Sequence, residues 1–415
     1  MISVEEFREQ ARAWLADNME PRVDTGLRIR GAGHKTVESI TESRVLQRRL
    51  FDGGFAGITW PTEYGGQALT GAHQQAFEVE AARYAMPDFG VAGGTTFGVC
   101  GPVMLAHASP EFLARHIPRI LAGDELWCQF FSEPGAGSDL AGVTTRAVRD
   151  GDRWVINGAK IWSSGAYYSD YGMCLARTDW DVPKHRGLTW FAVPTDAPGV
   201  TVRPIREING DIEFCEEFFD DVLLDDGERI GEVNQGWSIA QAMLVYERGA
   251  SNEHRPVPPG PGALASDFVE LARAQGRERD PVVRQLIARA HTDDYVMVQL
   301  QARVMQHLRL GTGHGAGTAS FAKLGTGTTL ARRARIGMEI GRGPALVWDP
   351  ADDEGRRTAL NYLNGRVMAI AGGTNEVQRN GIGERVLGLP REPSFDTDRP
   401  FNEVLRNAAN WTGKP

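Results

Sequence analysis

The chain has 415 residues, of which 41% are hydrophobic and 24% charged, the balance of a globular protein too long for one core of usual size. Its formal net charge of −9 excludes a general nucleic-acid surface, so any anionic ligand has to find local basic residues. No apolar run is long enough to span a bilayer, and Cys100, Cys128, Cys174 and Cys215 lie far apart with no CxxC, which reads as four reduced, buried thiols.

The N-terminal stretch MISVEEFREQ is polar and acidic early, without the pattern of a signal or transit peptide, and the expected location is the cytoplasm. Val4, Phe7, Ala11, Trp14 and Leu15 recur at helical spacing. Further helical patterns fall at 42–51, 74–84, 103–108 and 111–121, which gives a helical domain over 1–125. The texture changes after Gly123. Alternation at 143–148 and 154–156, with hairpin turns expected at Asp150-Gly151 and Asn157-Gly158, opens a β domain over 126–232. Its further strands are expected at 173–176, 188–193, 200–202 and 213–219. Helical periodicity returns at Trp237, is broken by RPVPPGPG at 255–262, and resumes over 281–310, 318–340 and 354–370. That gives a C-terminal helical domain over 233–390 and a tail over 391–415. The fold class expected is α+β in the order helical domain, β barrel or sheet, helical bundle.

The chain is organised around WCQFFSEPGAGSDLAG at 127–142. Pro134 fixes its own φ, while Gly135 and Gly137 let a ligand approach the main chain. Ser138 and the neighbouring amides can then donate to an anion or a heterocycle. A second stretch, NGAKIWSSGA at 157–166, follows at short range. The pair resembles the acyl-CoA dehydrogenase family of FAD enzymes, and the resemblance extends to AGGTNEVQRN at 371–380. It implies that Gln129, Phe131, Ser132 and Ser164 contact the flavin ring and that Trp162 packs on it. Gly137 and Ser138 would lie near the pyrophosphate and the thioester channel, with Thr374 and Glu376 at the flavin edge. Taken singly, Trp162 also fits a core aromatic at a strand end, and Thr374 and Glu376 fit a helix cap and a first-turn acid.

Many family members carry a catalytic glutamate two residues before the threonine of the third motif. Here that position is Gly372, which has no proton-accepting side chain. Another branch uses a glutamate followed by arginine on the first helix of the C-terminal domain, and MLVYER at 243–248 matches it at Glu247. A carboxylate beside Tyr246, covered by an acyl chain, loses solvation and becomes a stronger base. Leu244, Ser138 and Arg248 are the residues expected to face substrate, Arg248 being turned about 100° round the helix from Glu247. Without this context Glu247-Arg248 reads as a solvated surface pair.

The resemblance fails at two further places. The Arg-x-x-Phe-Gly element before the long C-terminal helix is replaced by GRERDP at 276–281, leaving Arg277 or Arg279 as substitutes. A Gln-x-x-Gly-Gly element is absent from ALNYLNGRV at 359–367. Both departures concern the adenine end of FAD and point more to a mixed tetramer with a related subunit here than in an average member, beside the homodimer or homotetramer that the resemblance also implies. No P-loop, Rossmann fingerprint, metal-ligand spacing or GxSxG elbow is present. The expected activity is α,β-dehydrogenation of an acyl-CoA thioester, with electron-transferring flavoprotein as acceptor. The alternatives are a carrier-protein thioester or nitroalkane as substrate, or a non-catalytic subunit. The gap at Gly372 suggests room for a branched or polycyclic acyl group.

Overall fold

A computed structural model describes residues 2–23, 35–247, 264–313, 316–349, 351–391, 393–394 and 396–409. The first part is helical: α1 Val4–Asn18, α2 Val37–Asp52, α3 Gly71–Ala81, α4 Gly90–Thr95, α5 Gly101–His107 and α6 Pro110–Ala122. The last of these shows how the sequence makes its elements. Ser109 accepts from the Phe112 amide at 3.2 Å, Pro110 occupies the first turn, and Phe112, Leu113, Ile117, Ile120 and Leu121 form one buried stripe. Gly123, at φ +81°, then turns the chain out of the helix, where a Cβ would meet Gln47 at 2.8 Å.

The middle of the chain forms one eight-stranded sheet in the order β6-β7-β3-β2-β4-β5-β8, with β1 paired parallel to β4. Its strands are β1 Trp127–Phe130, β2 Arg146–Asp150, β3 Arg153–Ser164, β4 Tyr171–Arg177, β5 Leu188–Pro194, β6 Val200–Pro204, β7 Phe214–Asp225 and β8 Arg229–Ile230. Asn157-Gly158 is not a hairpin turn, as the sequence suggested. It lies inside β3, at a register shift against β7. The glycine is needed there because a Cβ would fall 2.5 Å from Thr145 Oγ1.

The helices that follow are α7 Gly236–Glu247, α8 Ser266–Ala274, α9 Pro281–Arg309, α10 Ala316–Val347, α11 Asp353–Asn364, α12 Asn375–Arg385 and α13 Phe401–Ala409. The helix expected over 354–370 stops at Asn364. Gly365 packs so closely that a Cβ would lie 2.7 Å from the Ala334 methyl, and a single 3₁₀ turn, Val367–Ala369, continues the chain. The tail carries α13. Phe401 is buried there, with the Arg177 guanidinium 3.8 Å from its ring.

One apolar core joins α1, α3, α5 and α6 to Trp127, Met173 and Trp190 on the sheet and to Ile239, Ala240 and Met243 of α7. A second fills the other side of the sheet around Phe130, Trp154 and Phe191, with Cys128, Cys174 and Cys215 among its residues. All four cysteines are free and buried. Among the described residues no helix is long and apolar enough to cross a membrane.

Candidate active site

The two glycine-bearing stretches meet edge to edge. The Ile161 amide donates to the Ser132 carbonyl at 2.9 Å, which sets 127–142 directly against β3. Glu133 and Ala136 exchange both backbone hydrogen bonds at 3.0 Å, so Pro134-Gly135 is the tip of a tight turn. The Glu133 side chain points inward, where it accepts from the Thr144 amide (2.7 Å), the Thr145 amide (2.8 Å) and the Lys160 ammonium (3.0 Å). Burial pushes its carboxyl up, but Lys160 and the two amides outweigh this and hold it below the usual carboxylate range. Lys160 is wholly buried and also donates to the Phe131 carbonyl at 2.9 Å. This pair is the anchor of both motifs, and sequence reasoning passed over it. The signal was its position, one partner inside each stretch.

Above that anchor the surface is open. A Cβ added at Gly135 or Gly137 would meet nothing within 4 Å, and Gly137 and Ser138 are exposed. Asp139 is gripped by the Lys184 ammonium at 2.9 Å, and the same ammonium reaches Asp396 of the tail at 2.6 Å. Gln129, on β1, has a buried side-chain nitrogen with no hydrogen-bond partner. Trp162 stands out from the sheet, 55% exposed, with φ +69° and its ring perpendicular to Phe214 at 5.8 Å. Ser164, two residues on, ends β3 opposite Phe214 and is half-buried.

Trp190 ties this wall to the helical side. Its ring lies 4.9 Å from Phe131, and its indole N–H donates to the Gly236 carbonyl at 2.8 Å, the first residue of α7. His185, beside Lys184, packs edge-on against Trp237 at 4.8 Å. Helix α7 then buries Ile239, Ala240 and Met243, leaves Leu244 half-buried, and ends on the exposed Glu247. Arg248 and the 255–262 interruption lie outside the described residues.

Glu247 ends beside Gly372. A Cβ built on Gly372 would lie 3.4 Å from Glu247 Oε1 and 3.2 Å from Lys323 Cε. Lys323 is buried on α10, and its ammonium donates to the Met368 carbonyl at 2.6 Å. The turn that follows is built by backbone geometry. Gly372 and Gly373 have φ of +65° and +89°, and the Gln378 side-chain Nε2 donates to both of their carbonyls. Thr374 caps α12 by accepting from the Val377 amide at 3.2 Å. Glu376 is exposed and ion-pairs with Arg379 at 3.0 Å, on the solvent side of α12. Arg277 is engaged internally: its guanidinium donates to the Glu339 and Ile340 carbonyls and to Asp280. Arg279 is exposed.

Three family descriptions match in chain order: "Acyl-CoA dehydrogenase, N-terminal domain" over residues 3–124, "middle domain" over 128–222 and "C-terminal domain" over 234–387. The chain is 40% identical over 404 residues to "Acyl-CoA dehydrogenase IpdE1" of Mycobacterium tuberculosis, covering 94% of this chain and 99% of that one. The chain belongs to the acyl-CoA dehydrogenase family. It is also 36% identical to "Acyl-CoA dehydrogenase FadE34" of the same organism, over 83% of this chain and 46% of that one. Among solved structures, the "Tcur3481-Tcur3483 steroid ACAD" superposes with a TM-score of 0.76 at 30% identity, covering 94% of this chain and 98% of that one. The ChsE4-ChsE5 complex of Mycobacterium tuberculosis gives 0.69 at 28%, over 94% of this chain and all of that one. As a member of this family the chain is an oxidoreductase that desaturates an acyl-CoA thioester between Cα and Cβ.

Proposed function

We propose that this acyl-CoA dehydrogenase holds FAD against the wall made by Gln129, Phe131, Ser132, Trp162 and Ser164, with Gly137 and Ser138 beneath the pyrophosphate and Glu247 as base. The residues present fit such a group. Gln129 offers a buried, unpartnered donor to a polar ring edge, the glycine turn leaves its face open, and Trp162 presents an exposed flat ring. FAD, when bound, supplies the acceptor for the hydride leaving Cβ. Glu247 takes the α-proton, and an acyl chain lying over the end of α7 removes water from its carboxylate and strengthens it as a base. Ser138, Leu244 and Arg248 face the thioester in this reading. The product is a trans-2-enoyl thioester, and electron-transferring flavoprotein is the acceptor that returns the flavin to its oxidised state.

The observation that carries the reading is the position of Glu247 Oε1, 3.4 Å from where a side chain on Gly372 would begin. The carboxylate that α7 carries thus lies next to the family's other base position, which supports Glu247 as the base. We propose a bulky acyl group as the substrate, in keeping with the steroid named for a structural relative. We read the domain limits as 1–125, 126–232 and 233–390 with a tail from 391, and the location as the cytoplasm. Two relatives are named as pairs of chains, and Arg277 is bound within its own subunit instead of being free to reach across to a cofactor. Both support assembly with a related second subunit.

The test is the visible spectrum of the chain, purified alone and co-expressed with a related subunit, before and after anaerobic addition of acyl-CoA thioesters. Flavin bands that bleach with polycyclic thioesters in preference to short straight ones are the expected result. Equal bleaching by short chains would remove the bulky substrate, and a colourless protein in both preparations would overturn the flavin reading.

A further inference from the structure

The wall that carries Trp162 is held from behind by a buried polar pair that the reaction does not use. In the β3–β7 ladder Ile161 pairs with Glu216 and Ser163 with Cys215, so Trp162 is the extra residue of a bulge and has no partner across the strand. Its left-handed φ of +69° is unfavourable for a bulky aromatic and persists only where the surroundings over-determine it. The residue that follows supplies such a constraint. Ser163 is 2% exposed, and its hydroxyl donates to Glu217 Oε2 at 2.8 Å.

Glu217 is wholly buried between the inward-facing Cys215 and Phe219 of β7, and its other oxygen has no hydrogen-bond partner. An apolar side chain would fill that position at less cost. Lys160, the buried cation nearest in register, gives its hydrogen bonds to Glu133 and the Phe131 carbonyl instead. Burial pushes the Glu217 carboxyl up to about 8, which keeps it a neutral acid at neutral pH.

We propose that Ser163 and Glu217 are positioning residues, whose buried hydrogen bond locks the bulge in β3 and so holds the Trp162 indole outward as a wall of the cofactor site. The proposal rests on the flavin reading given above. A hydroxyl at 163 fixes the backbone one residue after the strained tryptophan, and the carboxyl on the neighbouring strand fixes the hydroxyl. The bulge then cannot slide by one residue, which would turn Trp162 into the sheet.

The experiment titrates FAD into the full-length apoprotein, in whichever assembly binds it, and follows flavin fluorescence. Ser163→Ala and Glu217→Leu are expected to weaken FAD binding about tenfold, the loss of one buried hydrogen bond. Both should leave more residual flavin fluorescence, because the indole no longer stacks. Ser163→Thr and Glu217→Gln, which keep donor and acceptor, are expected to behave as wild type. In a Trp162→Phe background, Ser163→Ala should add nothing. Wild-type affinity in both disrupting variants, or an undiminished effect of Ser163→Ala without Trp162, would overturn the latch while leaving the flavin reading intact. Failure of the wild-type protein to bind FAD would overturn both.

Discussion

On the sheet side of the site, each stretch proposed to face the cofactor is tied to a buried polar side chain. Glu133 and Lys160 join the two glycine-bearing motifs, Glu217 holds Ser163, and Lys184 holds Asp139. On the helical side the proposed base, Glu247, is the last described residue of α7, exposed, beside Gly372, which offers no side chain. The difference follows from what each wall has to do. A planar cofactor needs a rigid surface, and buried, hydrogen-bonded polar groups define one geometry at the expense of desolvation. A base that must bind a proton needs a carboxylate whose solvation changes when substrate arrives, so it is left at the surface until an acyl chain covers it.

The comparison is broken most severely at Lys160. Lys160→Met leaves Glu133 buried without its cation and is expected to destabilise the protein by about 3–5 kcal/mol in denaturant unfolding. An effect under about 1 kcal/mol would mean that the anchor is ornamental. Glu217 gives a pH signature. Its carboxyl keeps its proton in the folded state up to about 8, whereas the unfolded chain releases it near the ordinary carboxylate value. The folded state therefore binds more protons between those limits, and its stability falls as pH rises through that window. Relative to Glu217→Gln, wild type should lose more than about 1 kcal/mol from acid to mildly alkaline pH. Parallel stability curves for the two proteins would contradict the burial argument.

Smaller effects sharpen the helical side. Thr374→Ala removes the cap of α12 and should cost about 1 kcal/mol, with Glu247 still in place. Glu376→Gln removes an exposed pair with Arg379 and should change stability by less than about 0.5 kcal/mol. A severalfold loss of FAD affinity beside that unchanged stability would place Glu376 at the flavin edge.

Most of the architecture was legible in the sequence because periodicity reports which face is buried, as in α6 and in the 29 residues of α9. The errors fell where tertiary packing overrides a local signal. Asn157-Gly158 has the composition of a turn, yet its glycine serves the close crossing of Thr145 inside a continuous strand. The 354–370 pattern continues past Gly365, yet contact with α10 ends the helix there. At the site, the meeting of the two motif stretches could be anticipated from their spacing, and Thr374 as a cap from its neighbours. Alternation of Cys215, Glu217 and Phe219 also pointed to a buried acid, although that signal was passed over. What the sequence could not disclose is that Glu247 and Gly372, far apart in the chain, share one space. Side-chain proximity across the packing of α7, α10 and the 371–374 turn has no local signature.

The central claim is that Glu247 removes the α-proton in front of a flavin held by the sheet wall. Its most direct test is Glu247→Gln, mixed anaerobically with a thioester that bleaches the wild-type protein. The variant is expected to retain FAD with unchanged affinity and to bleach about 10²–10⁴-fold more slowly. Bleaching at the wild-type rate, with FAD bound, would contradict it and move the base to another residue.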